Sequence, residues 1–216
     1  AANYPFCTIE PNVGIFTVPD KRLEEISAIV KTLRTVPATV QIVDIAGIVK
    51  GASKGEGLGN QFLQHIRETD ALVHLVRCFE NDDIVHVDGS VDPERDIEVI
   101  NTELILADLQ RLEKAIPRIE KEVKGKKAEP VALETALEAQ KVLNEGKPLS
   151  STSIDLAPIK ELGLLTAKPF IYVFNVDEEV LGDDAKRKEL EALVAPAKAV
   201  LLDAKLESEL IDLDAA

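Results

Sequence analysis

A glycine-rich segment that follows an acidic residue constrains this chain more than any other feature. The apolar run 40–43 ends at Asp44, and five glycines lie between Gly47 and Gly59. This pattern predicts a parallel strand that ends at Asp44 and passes into a long loop. In open α/β sheets, ligands bind at the edge where parallel strands end. Glycine-rich backbone can also turn its N–H groups toward an anion. The segment therefore predicts an anion site, with a plain turn that binds no ligand as the alternative.

The composition favours one large domain, or one domain with an insertion. The chain has 216 residues, of which 45% are hydrophobic and 4% aromatic, so its core is expected to be aliphatic. A net charge of −14 argues against non-specific coating of nucleic acid, and we expect no sequence-specific DNA binding. Cys7 and Cys78 have neither metal-site nor disulfide spacing, and no apolar run is long enough to span a bilayer. We therefore expect a cytoplasmic protein without a membrane partner.

Predicted strands and helices alternate on either side of a long helical region. Strands are predicted at 13–18, 39–43, 71–79, 169–174 and 199–202, and helices at 20–30, 60–69, 158–165 and 185–194. This alternation indicates an α/β fold with a mostly parallel sheet and helices on both faces. Apolar residues spaced by three and four over 96–123, followed by a second helix over 130–144, predict an antiparallel helical coiled-coil hairpin. Pro117 is expected to kink its first helix.

Three polar segments follow predicted strands, in the order of the motifs of a Ras-like nucleotide-binding domain. They are Asp44-x-x-Gly47, the run 175–178 (Asn-Val-Asp-Glu) and the run 203–205 (Asp-Ala-Lys). In P-loop NTPases, the aspartate of Asp-x-x-Gly holds Mg²⁺ through water and the glycine N–H meets the γ-phosphate. Each motif alone is short enough to arise by chance, and the run 203–205 is equally typical of a turn.

Longer strings extend this resemblance to a particular family. Residues 3–12 (NYPFCTIEPN), 43–47 (VDIAG), 50–60 (KGASKGEGLGN) and 77–87 (RCFENDDIVHV) resemble the YchF family of Obg-related, translation-factor-class P-loop NTPases. The resemblance covers nearly the whole chain. It implies a Ras-like P-loop NTPase domain at 1–92 and 155–216, without its first strand and P-loop, and a helical coiled-coil insertion at 93–154. It also implies Mg²⁺ as cofactor, ATP as the preferred substrate with GTP weaker, and the ribosome as partner.

The resemblance also assigns roles to individual residues. It implies that Thr8 and Asp44 bind Mg²⁺ and that Gly47 contacts the γ-phosphate, while the base is bound by Asn175, Val176, Glu178, Ala204 and Lys205. Val176 and Glu178 replace the lysine and aspartate of the guanine-reading Asn-Lys-x-Asp motif, which should lower the preference for guanine.

The residue that activates water is expected to lie outside the Asp-x-x-Gly motif. Ile48 occupies the position where Ras-type enzymes carry the glutamine that orients water. His86 is the family's candidate for this task, because an imidazole can hold or accept a proton near neutral pH. The alternative for His86 is a histidine in a surface loop without a catalytic role.

Two segments of the family pattern do not occur in this sequence. It contains no Gly-x-x-x-x-Gly-Lys-[Ser/Thr] P-loop and no C-terminal TGS domain, so we expect hydrolysis from the intact protein and not from this chain alone. A GTP-specific GTPase of the same fold and a non-enzymatic module that uses its helical hairpin stay as alternatives. Basic residues on the hairpin predict docking on ribosomal RNA phosphates, with an ordinary solvated face as the alternative: Arg111, Lys114, Arg118, Lys121, Lys124, Lys126 and Lys127.

Overall fold

Strands and helices alternate along the part of the chain that the computed structural model describes, namely residues 12–45, 58–81 and 90–211. The strands in these ranges are β1 (Asn12–Thr17), β2 (Thr39–Asp44), β3 (Leu72–Arg77), β4 (Phe170–Asn175) and β5 (Lys198–Leu202). The α-helices there are α1 (Lys21–Val30), α2 (Leu58–Glu68), α3 (Pro93–Lys124), α4 (Pro130–Asn144), α5 (Glu178–Gly182), α6 (Asp184–Leu193) and α7 (Ala204–Ile211). This order confirms the predicted α/β class.

β3, β4 and β5 form the predicted parallel sheet, with β4 in the middle. Phe174 of β4 lies opposite Val76 of β3 on one side and opposite Leu201 of β5 on the other. Phe174 is fully buried, and Val76 is 2% exposed. Buried apolar side chains of this kind are typical of parallel strands, whose crossover helices cover them.

β1 and β2 form a separate two-stranded sheet and run antiparallel, from the pair Asn12–Asp44 to the pair Thr17–Thr39. We expected Asp44 to end a parallel strand. This is wrong, because within the described residues β2 pairs with β1 in the antiparallel direction. β2 alternates in part, with Gln41 between Val40 and Ile42, and alternation is typical of antiparallel strands.

Helix α3 packs on the parallel sheet with one part and on α4 with another. Asp92 caps its start, because the Asp92 side chain accepts a hydrogen bond from the Arg95 N–H at 3.1 Å. Ile97 belongs to a buried cluster with Tyr172 and Phe174 of β4. The helix then continues as one element through Pro117 to Lys124.

The second part of α3 and α4 form a helical hairpin. The two helices are joined by residues 125–129, and this short connection makes them neighbours that run antiparallel. They share a core of buried aliphatic side chains, which includes Leu112, Ala115 and Ile119 of α3 and Ala136, Ala139 and Leu143 of α4. The predicted bounds of α4, 130–144, agree with the structure.

Short 3₁₀ helices, not the predicted α-helix over 158–165, lead from the hairpin to β4. They span Leu149–Ser151, Ala157–Leu162 and Leu165–Ala167. Gly163 separates the last two and has a φ of +55°, a left-handed conformation that favours glycine and ends a helix. In the part of the chain that is described, no helix combines the length and the apolar character needed to cross a membrane.

Candidate functional site

Asn175 connects the two loops that follow β4 and β5. Its side-chain Oδ1 accepts a hydrogen bond from the Ala204 N–H at 3.1 Å. Its carbonyl accepts one from the Cys78 N–H at 2.8 Å, which joins the end of β4 to the segment after β3. The Val176 N–H donates to the Leu202 carbonyl at 2.9 Å. Asn175 and Ala204 are thus in contact at the carboxyl edge of the parallel sheet, where α/β folds bind ligands.

Two aspartates in these loops cap helices. The Asp203 Oδ1 accepts hydrogen bonds from the N–H groups of Lys205 at 2.9 Å and Leu206 at 3.1 Å, at the start of α7. The Asp177 Oδ1 accepts one from the Val180 N–H at 2.9 Å, at the start of α5. Each cap satisfies helix donors that have no partner within the helix. These structural roles were missed at the level of sequence, although an aspartate just before a helix is their usual signal.

The other predicted base-binding residues lie in different environments. The Val176 side chain is 2% exposed and belongs to the core cluster that contains Val76 and Tyr172, so it faces the protein interior. Glu178 is exposed in the first turn of α5, and Lys205 is exposed in the first turn of α7. Because Val176 as a whole residue is 2% exposed and its N–H is bonded to the Leu202 carbonyl, this residue offers a ligand little surface at this edge.

An open depression of about 700 Å³ lies next to Glu178. Its lining carries four acidic residues, together with Gly182 and Ala185: Glu178, Glu179, Asp183 and Asp184. Lys186 forms an ion pair with Glu179 at 2.7 Å and offsets part of this charge. Since acidic walls repel phosphate groups, this depression does not suit the phosphates of a nucleotide.

Asp44 ends β2 with an exposed side chain, on a different sheet from Asn175. The next residue, Ile45, packs against the buried cluster that contains Phe62 and Leu63 of α2. This contact anchors the chain where the glycine-rich segment begins. Thr8, Gly47 and His86 lie outside the described residues, so their roles stay predictions.

His74 lies on the face of the sheet that α3 covers. Its ring centroid is 5.5 Å from that of Tyr172 and 6.4 Å from that of Phe170. Burial lowers the pKa of His74 to about 4, although nearby Asp96 acts in the opposite direction. This histidine is therefore neutral at physiological pH.

Comparisons with known proteins point to one family. Residues 1–129 match the family model described as "50S ribosome-binding GTPase". The chain is similar to the "Ribosome-binding ATPase YchF" of Escherichia coli O157:H7, with 48% identity, and of Bacillus subtilis strain 168, with 46% identity, over 99% of its own length. It spans 61% of the length of each of these relatives.

A solved structure gives the same result. The YchF GTPase of Schizosaccharomyces pombe is similar with a TM-score of 0.73 and 33% sequence identity, over 98% of this chain and 60% of that one. The fold is therefore that of the P-loop GTPase-like YchF proteins, in which a parallel sheet is combined with helices. Because the family model covers more than half of the sequence, and the identities extend over nearly all of it, the chain belongs to the YchF family.

Proposed function

We propose that the intact protein that contains this chain is a Mg²⁺-dependent nucleotide hydrolase that prefers ATP to GTP. It works at the ribosome in the cytoplasm. The observation that carries the proposal is the hydrogen bond from Ala204 to Asn175. It brings the two predicted base-binding loops together at one edge of the sheet. The similar proteins of Escherichia coli O157:H7 and Bacillus subtilis are named ribosome-binding ATPases, which supports the same function.

Asn175 is proposed to bind a feature that both purines share. Its Oδ1 is bonded to Ala204, so the side chain presents its NH₂ group to a ligand. An amide donor suits the purine N7 acceptor, which adenine and guanine have in common. Asn175 therefore holds the base, and the choice between adenine and guanine rests on the neighbouring residues.

The residues after Asn175 favour adenine. A guanine site needs an acceptor for the N1–H and N2–H₂ donors of the base, and the Asp177 Oδ1 is already bonded to the Val180 N–H. Glu178 carries a longer carboxylate in an exposed helical turn. Val176 is buried, so its side chain cannot stack on the base as a lysine stem would. Because the motif's aspartate is replaced by the longer Glu178 and no lysine stem is available to stack on the base, we expect a weaker preference for guanine.

The donors proposed for Mg²⁺ fit that ion. Asp44 presents an exposed carboxylate at the end of β2, and Thr8 would add a hydroxyl. Both are hard oxygen donors, and Mg²⁺ usually takes only one or two protein ligands besides waters and substrate phosphates. When bound, the ion would neutralise charge on the β- and γ-phosphates.

The proposed catalytic roles belong to two segments that lie outside the described residues. The Gly47 N–H would donate to the γ-phosphate, and His86 would hold or accept a proton of the attacking water. Since Ile48 cannot orient water, turnover without an activator should be slow. A His86→Ala variant of the intact protein should bind ATP with unchanged affinity and lose turnover. Loss of ATP binding in this variant would contradict the catalytic role.

We propose that the helical hairpin belongs to an insertion at 93–154 in the nucleotide-binding domain, and that it contacts the ribosome. The structure pairs Lys124 with Glu120 at 2.8 Å and Arg118 with Glu122 at 3.8 Å, so part of the basic charge is balanced within α3. Besides the paired Lys124, four lysines of the predicted basic set are exposed: Lys114, Lys121, Lys126 and Lys127. These are the side chains best placed to bind RNA phosphates.

Competition between ATP and GTP for the intact protein tests the nucleotide preference. We expect ATP to displace a fluorescent nucleotide at a lower concentration than GTP. The alternative, a GTP-specific GTPase, is favoured by the names of the family model and of the Schizosaccharomyces pombe protein, which both contain the word GTPase. A lower displacing concentration for GTP would establish that alternative. Binding without any turnover would favour the non-enzymatic module instead.

A further inference from the structure

A buried carboxylate on α3 holds the segment that leads into β4. Asp108 is 0% exposed. Its Oδ1 accepts a hydrogen bond from the Leu165 N–H, and its Oδ2 accepts bonds from the N–H and the hydroxyl of Thr166, each at 2.8 Å. Breaking this arrangement would leave buried donors without partners, so it joins α3 firmly to the segment.

The same segment is also bonded to α2 and to β3. We call residues 165–169 the junction segment. The Lys168 Nζ donates to the backbone carbonyls of Arg67 and Thr69 at the end of α2. The Pro169 carbonyl accepts a hydrogen bond from the Leu72 N–H at 2.9 Å, at the start of β3. Three elements, α2, α3 and β3, therefore hold the junction segment in position. Among the described contacts of this segment, those with Asp108 of α3 involve a buried carboxylate.

β4 connects the junction segment directly to the base-binding edge. The strand begins at Phe170 and ends at Asn175, a length of about 20 Å. It is hydrogen-bonded on both sides, and an extended strand cannot lengthen to absorb a shift at its start. A displacement of the junction segment therefore reaches the Asn175–Ala204 contact.

On the other side of Asp108, α3 continues for about 24 Å to Lys124 at the end of the hairpin. Leu112, Ala115 and Ile119 pack against α4 along this length. A continuous helix with a packed partner moves as a unit, so a force on the hairpin is transmitted to Asp108.

We propose that Asp108 is a positioning residue that couples displacement of the hairpin to the Asn175–Ala204 contact, and through it to base binding. The inference rests on the proposed function for the role of Asn175 toward the base. The mechanical coupling itself needs no nucleotide, which allows the two to be tested separately.

Amide hydrogen exchange of the intact protein without ligand tests the coupling. Asp108→Asn should raise exchange at the Ala204 N–H by about tenfold or more, because the Asn175 side chain loses its fixed position. The matched control is Asp155→Asn, since Asp155 is also a carboxylate that accepts a backbone bond, from the Ala157 N–H at 3.0 Å, but at an exposed site. It should leave Ala204 unchanged. Faster exchange confined to Leu165 and Thr166 would show a purely local role and overturn the proposal.

A milder variant covers the case in which Asp108→Asn does not fold. Thr166→Val removes the hydroxyl bond to Asp108 and keeps both backbone bonds. It should raise Ala204 exchange by a few-fold, and no change at Ala204 in a folded Thr166→Val protein would count against the coupling.

Linkage between the ribosome and ATP gives the functional readout. The ratio of ATP dissociation constants with and without ribosomes should differ from one in the wild type and move toward one in either variant. A ratio that equals one in the wild type, or that neither variant changes, overturns the proposal. A protein that binds no ATP refutes the proposed function instead, and the exchange experiment still decides the role of Asp108.

Discussion

Ionisation of His74 should make the folded protein sensitive to acid. The imidazole lies among the rings of Phe170 and Tyr172, and burial lowers its pKa from the ordinary value of 6.5 to about 4. Since a charged imidazole is poorly solvated in this position, the folded protein resists protonation there, whereas the unfolded chain takes up the proton freely.

The sign and size of the effect follow from the two pKa values. Between pH 6.5 and about 4 the unfolded state binds more protons than the folded state, so stability falls as the pH decreases through this window. At pH 5, this single group should lower the free energy of unfolding by about 2 kcal/mol relative to pH 8. That is a large part of the 5 to 15 kcal/mol, roughly, that stabilises a typical domain.

Urea unfolding of the intact protein at pH 8 and pH 5, followed by circular dichroism, measures this contribution. His74→Phe keeps an aromatic ring beside Phe170 and Tyr172, whereas His74→Gln does not, so the two variants should differ in absolute stability. Both lack the titrating group, so both should lose about 2 kcal/mol less than the wild type between pH 8 and pH 5. An equal loss in the wild type and in both variants would refute the burial argument.

Three further predictions test the site and the hairpin. Asp203→Ala should lower the free energy of unfolding by about 1 kcal/mol, because α7 loses its cap, and Asp203→Asn should restore most of it in a denaturant titration. Val176→Lys introduces the lysine of the guanine-reading motif, but it also buries an ammonium group in the core. It should therefore destabilise the protein by several kcal/mol, measured by thermal unfolding, and should not raise the affinity for GTP. A Lys126→Glu and Lys127→Glu double variant should weaken co-sedimentation with ribosomes and reduce its salt dependence, whereas an unchanged salt dependence would remove the connecting loop from the interface.

Local patterns predicted the elements well. The first helix was predicted to start at Asp20, and the Asp20 side chain caps α1 by accepting a hydrogen bond from the Arg22 N–H at 3.0 Å. The bounds of α4 agree with the prediction because Pro130 at its start is a local signal. The apolar run 169–174 likewise predicted a strand, and β4 spans Phe170–Asn175. Such features depend on residues that are neighbours in the sequence.

The strings that resemble the YchF family extended this prediction to the fold class and the family, and the comparisons confirm both. The roles of Thr8, Gly47 and His86 stay predictions, since the described residues do not include them. The division into a nucleotide-binding domain and an insertion is likewise a proposal, and α3 contributes to the packing of both parts.

Contacts between distant segments decided the rest. Residues 29 positions apart form the Asn175–Ala204 contact, and residues 57 and 58 positions apart form the bonds of Asp108 to Leu165 and Thr166. The direction of β2 relative to β1 and the burial of Val176 also depend on which segments pack together. A sequence pattern indicates which side chains are buried and where a helix can begin, but it does not indicate which distant segment each of them packs against. The partner is chosen only when the whole chain satisfies its buried polar groups and fills its core at once.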